Sequence, residues 1–127
     1  MSILERAHQL IEPLDDTSTL HFVYGLMAGA LMLSARFEES MVWAQRSTAL
    51  GEARQYWPAV GGGYYYLSIN AEYLGRWQKV DEWGQCGRQF SRQAGWRDVE
   101  VWNELQRALA AYYRGDLAVG VQLHASA

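Results

Sequence analysis

Cysteine and lysine each occur once in this 127-residue chain, as Cys86 and Lys79. A lone cysteine excludes an intrachain disulfide and fits a reducing compartment, so a cytoplasmic protein is expected. A basic surplus is also missing: 11 Lys and Arg stand against 14 Asp and Glu, for a formal net charge of −3. Nucleic acid and anionic bilayers are held through a basic footprint, so neither is expected as a partner. The opening Met1-Ser2-Ile3-Leu4-Glu5-Arg6 has no basic block and no apolar core, so no signal peptide is expected there. Ser18 to Ala35 is free of charge and nearly long enough to span a bilayer. His21, Ser34, Gly25 and Gly29 interrupt it, however, and it lies in register with the plainly soluble segments around Tyr64 and Glu104. It reads as a buried helix.

Reactive constellations are scarce as well. His8, His21 and His124 lie far apart with no partner four residues away and no cysteine pair, so no metal site is expected. Single histidines on apolar helices are usually satisfied structural residues. Cys86 sits between Gln85 and Gly87 with no nearby base to lower its pKa, which points to an inert thiol. The acidic pairs Asp15-Asp16, Glu38-Glu39 and Asp81-Glu82 are adjacent, and neighbours on a helix point about 100° apart, so they do not converge for proton transfer. Arg88 and Arg92 share a helix face that could hold phosphate, but Asp81 and Glu82 dilute any basic stripe. No catalytic residue and no cofactor is expected, and the chain reads as non-enzymatic.

What the chain does have is an echo at 40 residues. Phe37, Trp77 and Leu117 are evenly spaced, each just after a turn that begins with a small residue, Ala35, Gly75 or Gly115. Ala28, Ser68 and Ala108 are all small, as are Ala7, Ser47, Gly87 and Ala127. Leu33, Tyr73 and Tyr113 are all large, as are Ile3, Trp43, Trp83 and Leu123, and Leu10, Leu50 and Phe90 form another apolar rung. Small rungs let helix backbones approach, and large rungs are expected to fill the space between units. A period in this range marks a stack of helical units.

Local signals make each unit a helix pair. Asp15 to Ser18 offers N-caps for a helix to about Ser34, and a turn at Ala35-Arg36 leads to a second from Phe37 to about Arg54. Pro58 suits the first turn of the next, ending near Gly75. Trp77 to Ala94 follows, closed by Gly95. Asp98 starts a helix to about Arg114, and Gly115-Asp116 turns into a last segment. The first dozen residues align with the second helix of a pair.

The small residue inside each first helix (Ala28, Ser68, Ala108), the turn Gly75-Arg76-Trp77 with its echo Ala35-Arg36-Phe37, and the small residues Ser40, Ala44, Ser47, Gly84 and Gly87 along the second helices resemble the tetratricopeptide family. The family's usual repeat is about 34 residues, so the longer period is more similar to repeats of bacterial signalling ATPases and transcriptional regulators. Leu117 in place of an aromatic and Val80 in place of a small residue depart from the pattern. The resemblance implies an all-α, right-handed solenoid of antiparallel helix pairs with about six to seven helices. It also implies one domain over residues 1–127, which could itself be a piece of a larger regulator. First helices would line a concave face and second helices the outside.

Charge follows that division. Glu38, Glu39, Arg46, Glu52 and Arg54 crowd one second helix, whereas Glu72 is the only charge between Trp57 and Leu74. Helical spacing puts Phe22, Gly25, Gly29 and Met32, then Gly62, Tyr65, Ile69 and Glu72, then Trp102, Leu105, Leu109 and Tyr112 on the inner face. An apolar, aromatic face suits a protein or peptide partner, with Phe22, Met32, Tyr65, Ile69, Trp102, Leu105, Leu109 and Tyr112 as contacts. Curvature or neighbouring repeats could instead close it. The basic clamp for a C-terminal carboxylate is absent, since no inner-face position is Lys, Arg or Asn. Units that begin and end mid-pair leave apolar ends, so a homo-oligomer is expected. The run Gly61-Gly62-Gly63 falls inside an inner helix, where each glycine costs about 1 kcal/mol against alanine. Close packing is one compensation, and a pocket for an apolar or peptide ligand is the other. A small-molecule-sensing regulatory domain is the second functional reading.

Overall fold

The computed structural model describes residues 2–126, and no strand occurs among the described residues. The helices are α1 (Ile3–Ile11), α2 (Thr17–Leu33), α3 (Phe37–Arg54), α4 (Trp57–Tyr73), α5 (Trp77–Gln93), α6 (Arg97–Tyr113) and α7 (Leu117–Ser126), with a 3₁₀ turn at Glu12–Leu14. The fold is an all-α helical-repeat solenoid. Ala127, a member of one small rung, lies outside the described residues.

Side-chain caps start α1, α2 and α7, where the Asp116 carboxylate accepts from the Val119 N–H at 3.2 Å. Ser2 and Glu5 exchange bonds in a capping box, and the Asp16 carboxylate accepts from the Thr19 N–H at 3.0 Å. From α3 to α6 no side chain caps the N-terminus. The preceding turn fixes the start instead. The N–H groups of Arg36, Tyr56, Arg76 and Trp96 each reach back to the carbonyl five residues earlier at 2.9 Å, closing the previous helix as a Schellman turn. This is why α6 begins at Arg97 rather than Asp98, which lies in its first turn.

Each such turn needs one residue of left-handed backbone, Ala35, Gln55, Gly75 or Gly95; Gly115 before α7 and Asp15 after the 3₁₀ turn take the same conformation. They fall every 20 residues. The 40-residue echo of the sequence is therefore two structural steps, each a helix of 17 or 18 residues and a short turn.

Consecutive helices pack against each other, and α2, α4 and α6 also touch in that order. These three form the inner layer, with α3 and α5 outside. Ala28, Ser68 and Ala108 are buried at the pair interfaces. Close approach there lets hydroxyls cross between helices: Ser40 donates to the Ala28 carbonyl at 2.6 Å, Ser47 to Ala59 at 2.8 Å and Ser68 to Val80 at 2.9 Å. The large rung behaves differently from expectation. Leu33, Tyr73 and Tyr113 are exposed at the helix ends rather than filling the interior. Tyr73 stacks on Phe37 and Tyr113 on Trp77, with ring centroids 5.0 and 3.9 Å apart, so the rung bridges successive pairs along an edge.

Charge joins α5 to α6. Glu100 and Glu104 are buried, and they meet Arg92 at 2.8 Å and Arg88 at 2.9 Å. The two arginines that share a face on α5 are thus matched by two glutamates at the same spacing on the antiparallel α6. Arg107 and Arg114 complete the network through Asp81.

Candidate binding site on the inner face

The three central glycines of α4 point three ways, because successive helix positions turn by about 100°. A Cβ on Gly63 would lie 2.6 Å from Thr48 Cγ2 and 2.8 Å from the Ala44 carbonyl, so α3 presses on that side. A Cβ on Gly61 would run into Ser91 Oγ and come within 3.0 Å of the Ser91 nitrogen, so α5 presses on the other. Packing explains both glycines. Gly62 between them meets no backbone. Its Cβ would find His21 Cε1 at 3.4 Å and Trp96 Cζ3 at 3.6 Å, which is ordinary contact.

Gly62 opens onto a pocket of about 250 Å³ between α2, α4 and α6. Its walls are largely apolar and aromatic: Phe22, Gly25 and Leu26 from α2, Tyr65 and Tyr66 from α4, and Val99 and Trp102 from α6, with Trp96 at the turn before α6. Tyr65 and Trp102 lie side by side with centroids 5.3 Å apart. Tyr66 covers the glycine face of α2, its hydroxyl 3.3 Å from where a Gly29 Cβ would sit, so Gly25 and Gly29 seat a ring instead of facing open solvent. Burial pushes the Tyr65 and Tyr66 hydroxyls up from their ordinary pKa, which keeps both phenols neutral.

One polar element of this wall is His21, set edge-on to Tyr56 and Trp96 at centroid distances of 5.7 and 6.0 Å. Its Nδ1 is buried without a hydrogen-bond partner. Burial also pushes its pKa below the usual histidine value, so the ring is neutral at physiological pH. The satisfied structural histidine expected at this position is therefore not what the structure contains.

Of the expected contact residues, Phe22, Tyr65 and Trp102 come together around this pocket. Leu105, Leu109 and Tyr112 line a second, shallower hollow of about 110 Å³. Tyr112 is partly committed to α7, because a Cβ on Gly120 would lie 2.8 Å from its ring. Met32 and Ile69 are half-buried and line neither hollow. Around the mouth the apolar surface continues: Phe22 is 64% exposed, Leu26 42% and Trp102 45%. His21, Trp96 and Leu26 were not among the expected contacts. Leu26 lies one turn from Phe22, a spacing that could have revealed it. Trp96 lies in a turn, outside any helical periodicity.

Elsewhere the described residues offer little chemistry. No group of three or more His, Cys, Asp or Glu residues gathers among them, and none of the helices is long and apolar enough to cross a membrane. Cys86 is half-buried, and burial raises its pKa further, away from the reactive thiolate. No protein family, curated protein or solved structure matches the chain.

Proposed function

We propose that the chain is a non-enzymatic protein-interaction module of the tetratricopeptide-like kind, which buries an apolar segment of a partner on its inner helices. The observation that carries this reading is that Phe22, Leu26 and Trp102 line the pocket and are also exposed. Isolated exposed apolar residues are normal on a protein surface, whereas a contiguous aromatic patch around a concavity is the usual form of an interface. Tyr and Trp are also the residues most often found as interface anchors. The bare inner faces of α2 and α4 suit an uncharged, amphipathic segment, since burying an unpaired charge there would be costly.

A library of displayed amphipathic helices tests the reading. Wild-type protein should enrich peptides with an apolar face, and Trp102→Glu, with unchanged helicity, should not. Equal enrichment by both proteins would refute it. Light scattering over a range of concentrations adds the self-assembly arm, in which a second copy supplies the segment. A ligand-sensing role rests on the same pocket, but the apolar rim extends well beyond what a small molecule would cover.

A further inference from the structure

Gly62 has no packing reason to be glycine. Its two neighbours cannot carry a Cβ without collision, whereas a methyl group at Gly62 would fit against His21 and Trp96. Interior helix glycine costs about 0.5–1 kcal/mol relative to alanine. The fold therefore forgoes that stability at a position where the only thing gained is room in the pocket.

The size and chemistry of that room narrow its occupant. An apolar cavity of about 150 Å³ holds one benzene, and this pocket measures about 250 Å³, enough for a ring with a polar substituent. His21 supplies the counterpart. The neutral imidazole carries one donor and one acceptor, and no hydrogen bond from either is found among the described residues. Its Cε1, bonded to both ring nitrogens, faces Gly62. A hydroxyl is matched to it in either tautomer, because it both donates and accepts.

We propose that the pocket seats the phenol ring of a tyrosine side chain from a partner segment, its hydroxyl hydrogen-bonded to His21 and its flanking residues laid on the Phe22–Trp102 rim. This rests on the reading of the inner face as a protein-binding surface. The rim is the reason the ring belongs to a longer partner, since Phe22, Leu26 and Trp102 line the pocket and still expose large apolar surface outside it that a single ring would cover only in part.

The test is an NMR titration of the whole chain with 4-methylphenol, toluene, and a capped helical peptide carrying one tyrosine with leucines on the same face. 4-Methylphenol should bind about fivefold more tightly than toluene. His21→Phe should bring the two within about twofold of each other. The tyrosine peptide should bind at least about tenfold more tightly than 4-methylphenol. Gly62→Ala should abolish ring binding while raising Tm, which separates a filled pocket from an unfolded protein. Equal binding of toluene and 4-methylphenol would overturn the role of His21. A peptide no tighter than free 4-methylphenol would make this a small-molecule site and overturn the partner assignment. If a leucine-for-tyrosine peptide binds as well as the tyrosine peptide, the pocket inference fails and the groove reading survives. If Trp102→Glu leaves peptide binding unchanged, the groove reading itself fails.

Discussion

Ala35 and Gly75, one sequence repeat apart, hold the same left-handed backbone, with φ of 58° and 71°. Both close an inner helix with the same pair of turn bonds. A Cβ at Gly75 would meet nothing within 4 Å, so any difference between the two residues is a backbone effect alone. An L-residue pays about 1–2 kcal/mol for that conformation. Ala35→Gly should therefore stabilise the protein by about 1 kcal/mol and Gly75→Ala should destabilise it by a similar amount. Urea melts of the two variants check this, and effects of the same sign would refute it.

Cross-helix hydroxyls give a second pair of expectations. Ser68 is fully buried and donates to the Val80 carbonyl at 2.9 Å, while the buried Ser91 hydroxyl has no partner. Ser68→Ala should cost about 1 kcal/mol, the usual net value of such a bond. Ser91→Ala removes an unsatisfied polar atom and should be neutral or slightly stabilising. Thermal denaturation of both variants ranks them. A larger loss at Ser91 would mean that its hydroxyl has a role the geometry does not give it.

The glycine run of α4 should respond unevenly to alanine. Gly63→Ala drives a methyl group into Thr48 and the Ala44 carbonyl, and overpacking of this kind costs about 1–3 kcal/mol. Gly62→Ala enters open pocket and should gain about 0.5–1 kcal/mol from helix propensity. Opposite shifts in the urea midpoint are expected. Loss of stability in both variants would show that Gly62 is also a packing position.

How much of this was legible follows from what each signal depends on. The seven segments were readable from the caps at Asp15 to Ser18, from Pro58 and from the turn glycines Gly75, Gly95 and Gly115, which hold three of the six left-handed positions. Asp15, Ala35 and Gln55 hid the 20-residue step, since nothing in those side chains announces a left-handed backbone. The inner face could be read from charge, because Glu72 alone interrupts the apolar stretch after Trp57. Trp96 and His21 could not be read as a pair. They meet only through tertiary packing, one from a turn and the other from α2. The buried Glu100 and Glu104 were missed because a carboxylate looks solvated until the helix carrying Arg88 and Arg92 is set antiparallel beside it.

Acid should loosen the α5–α6 contact through Glu100. Burial alone would raise its pKa, but hydrogen bonds from Arg92 and Arg97 outweigh that and hold it below its ordinary value of 4.5. With the folded pKa depressed, its contribution to stability is present above the unfolded value and is lost as pH falls through the folded one. Wild-type stability should fall below pH 4.5, and Glu100→Gln should fall less steeply. At neutral pH the same variant should cost about 1–2 kcal/mol, since both arginine partners are exposed. Urea melts from neutral pH down into the acid range supply both readings. Parallel pH curves would remove Glu100 from the account.

His21 sets a second pH dependence in a different window. Burial lowers its folded pKa below 6.5, so the unfolded chain binds the proton more readily than the folded one. Stability from the neutral ring is therefore complete above about pH 6.5 and declines as pH falls from there towards the folded pKa. The residues lining the pocket include no carboxylate to offset a charged imidazole, and Tyr56 and Trp96 stand edge-on beside it. Wild-type protein should thus lose stability between about pH 7 and pH 5.5, before the carboxylates begin to titrate. His21→Phe should lose less stability over that interval than wild type, whatever its absolute stability. The same range should weaken 4-methylphenol binding, because imidazolium has lost its acceptor and must be paired inside an apolar wall. If the stability curves of wild type and His21→Phe run parallel from pH 7 to 5.5, His21 carries its proton as readily in the folded chain as in the unfolded one. The burial that holds the ring neutral down into the acid range would then be absent.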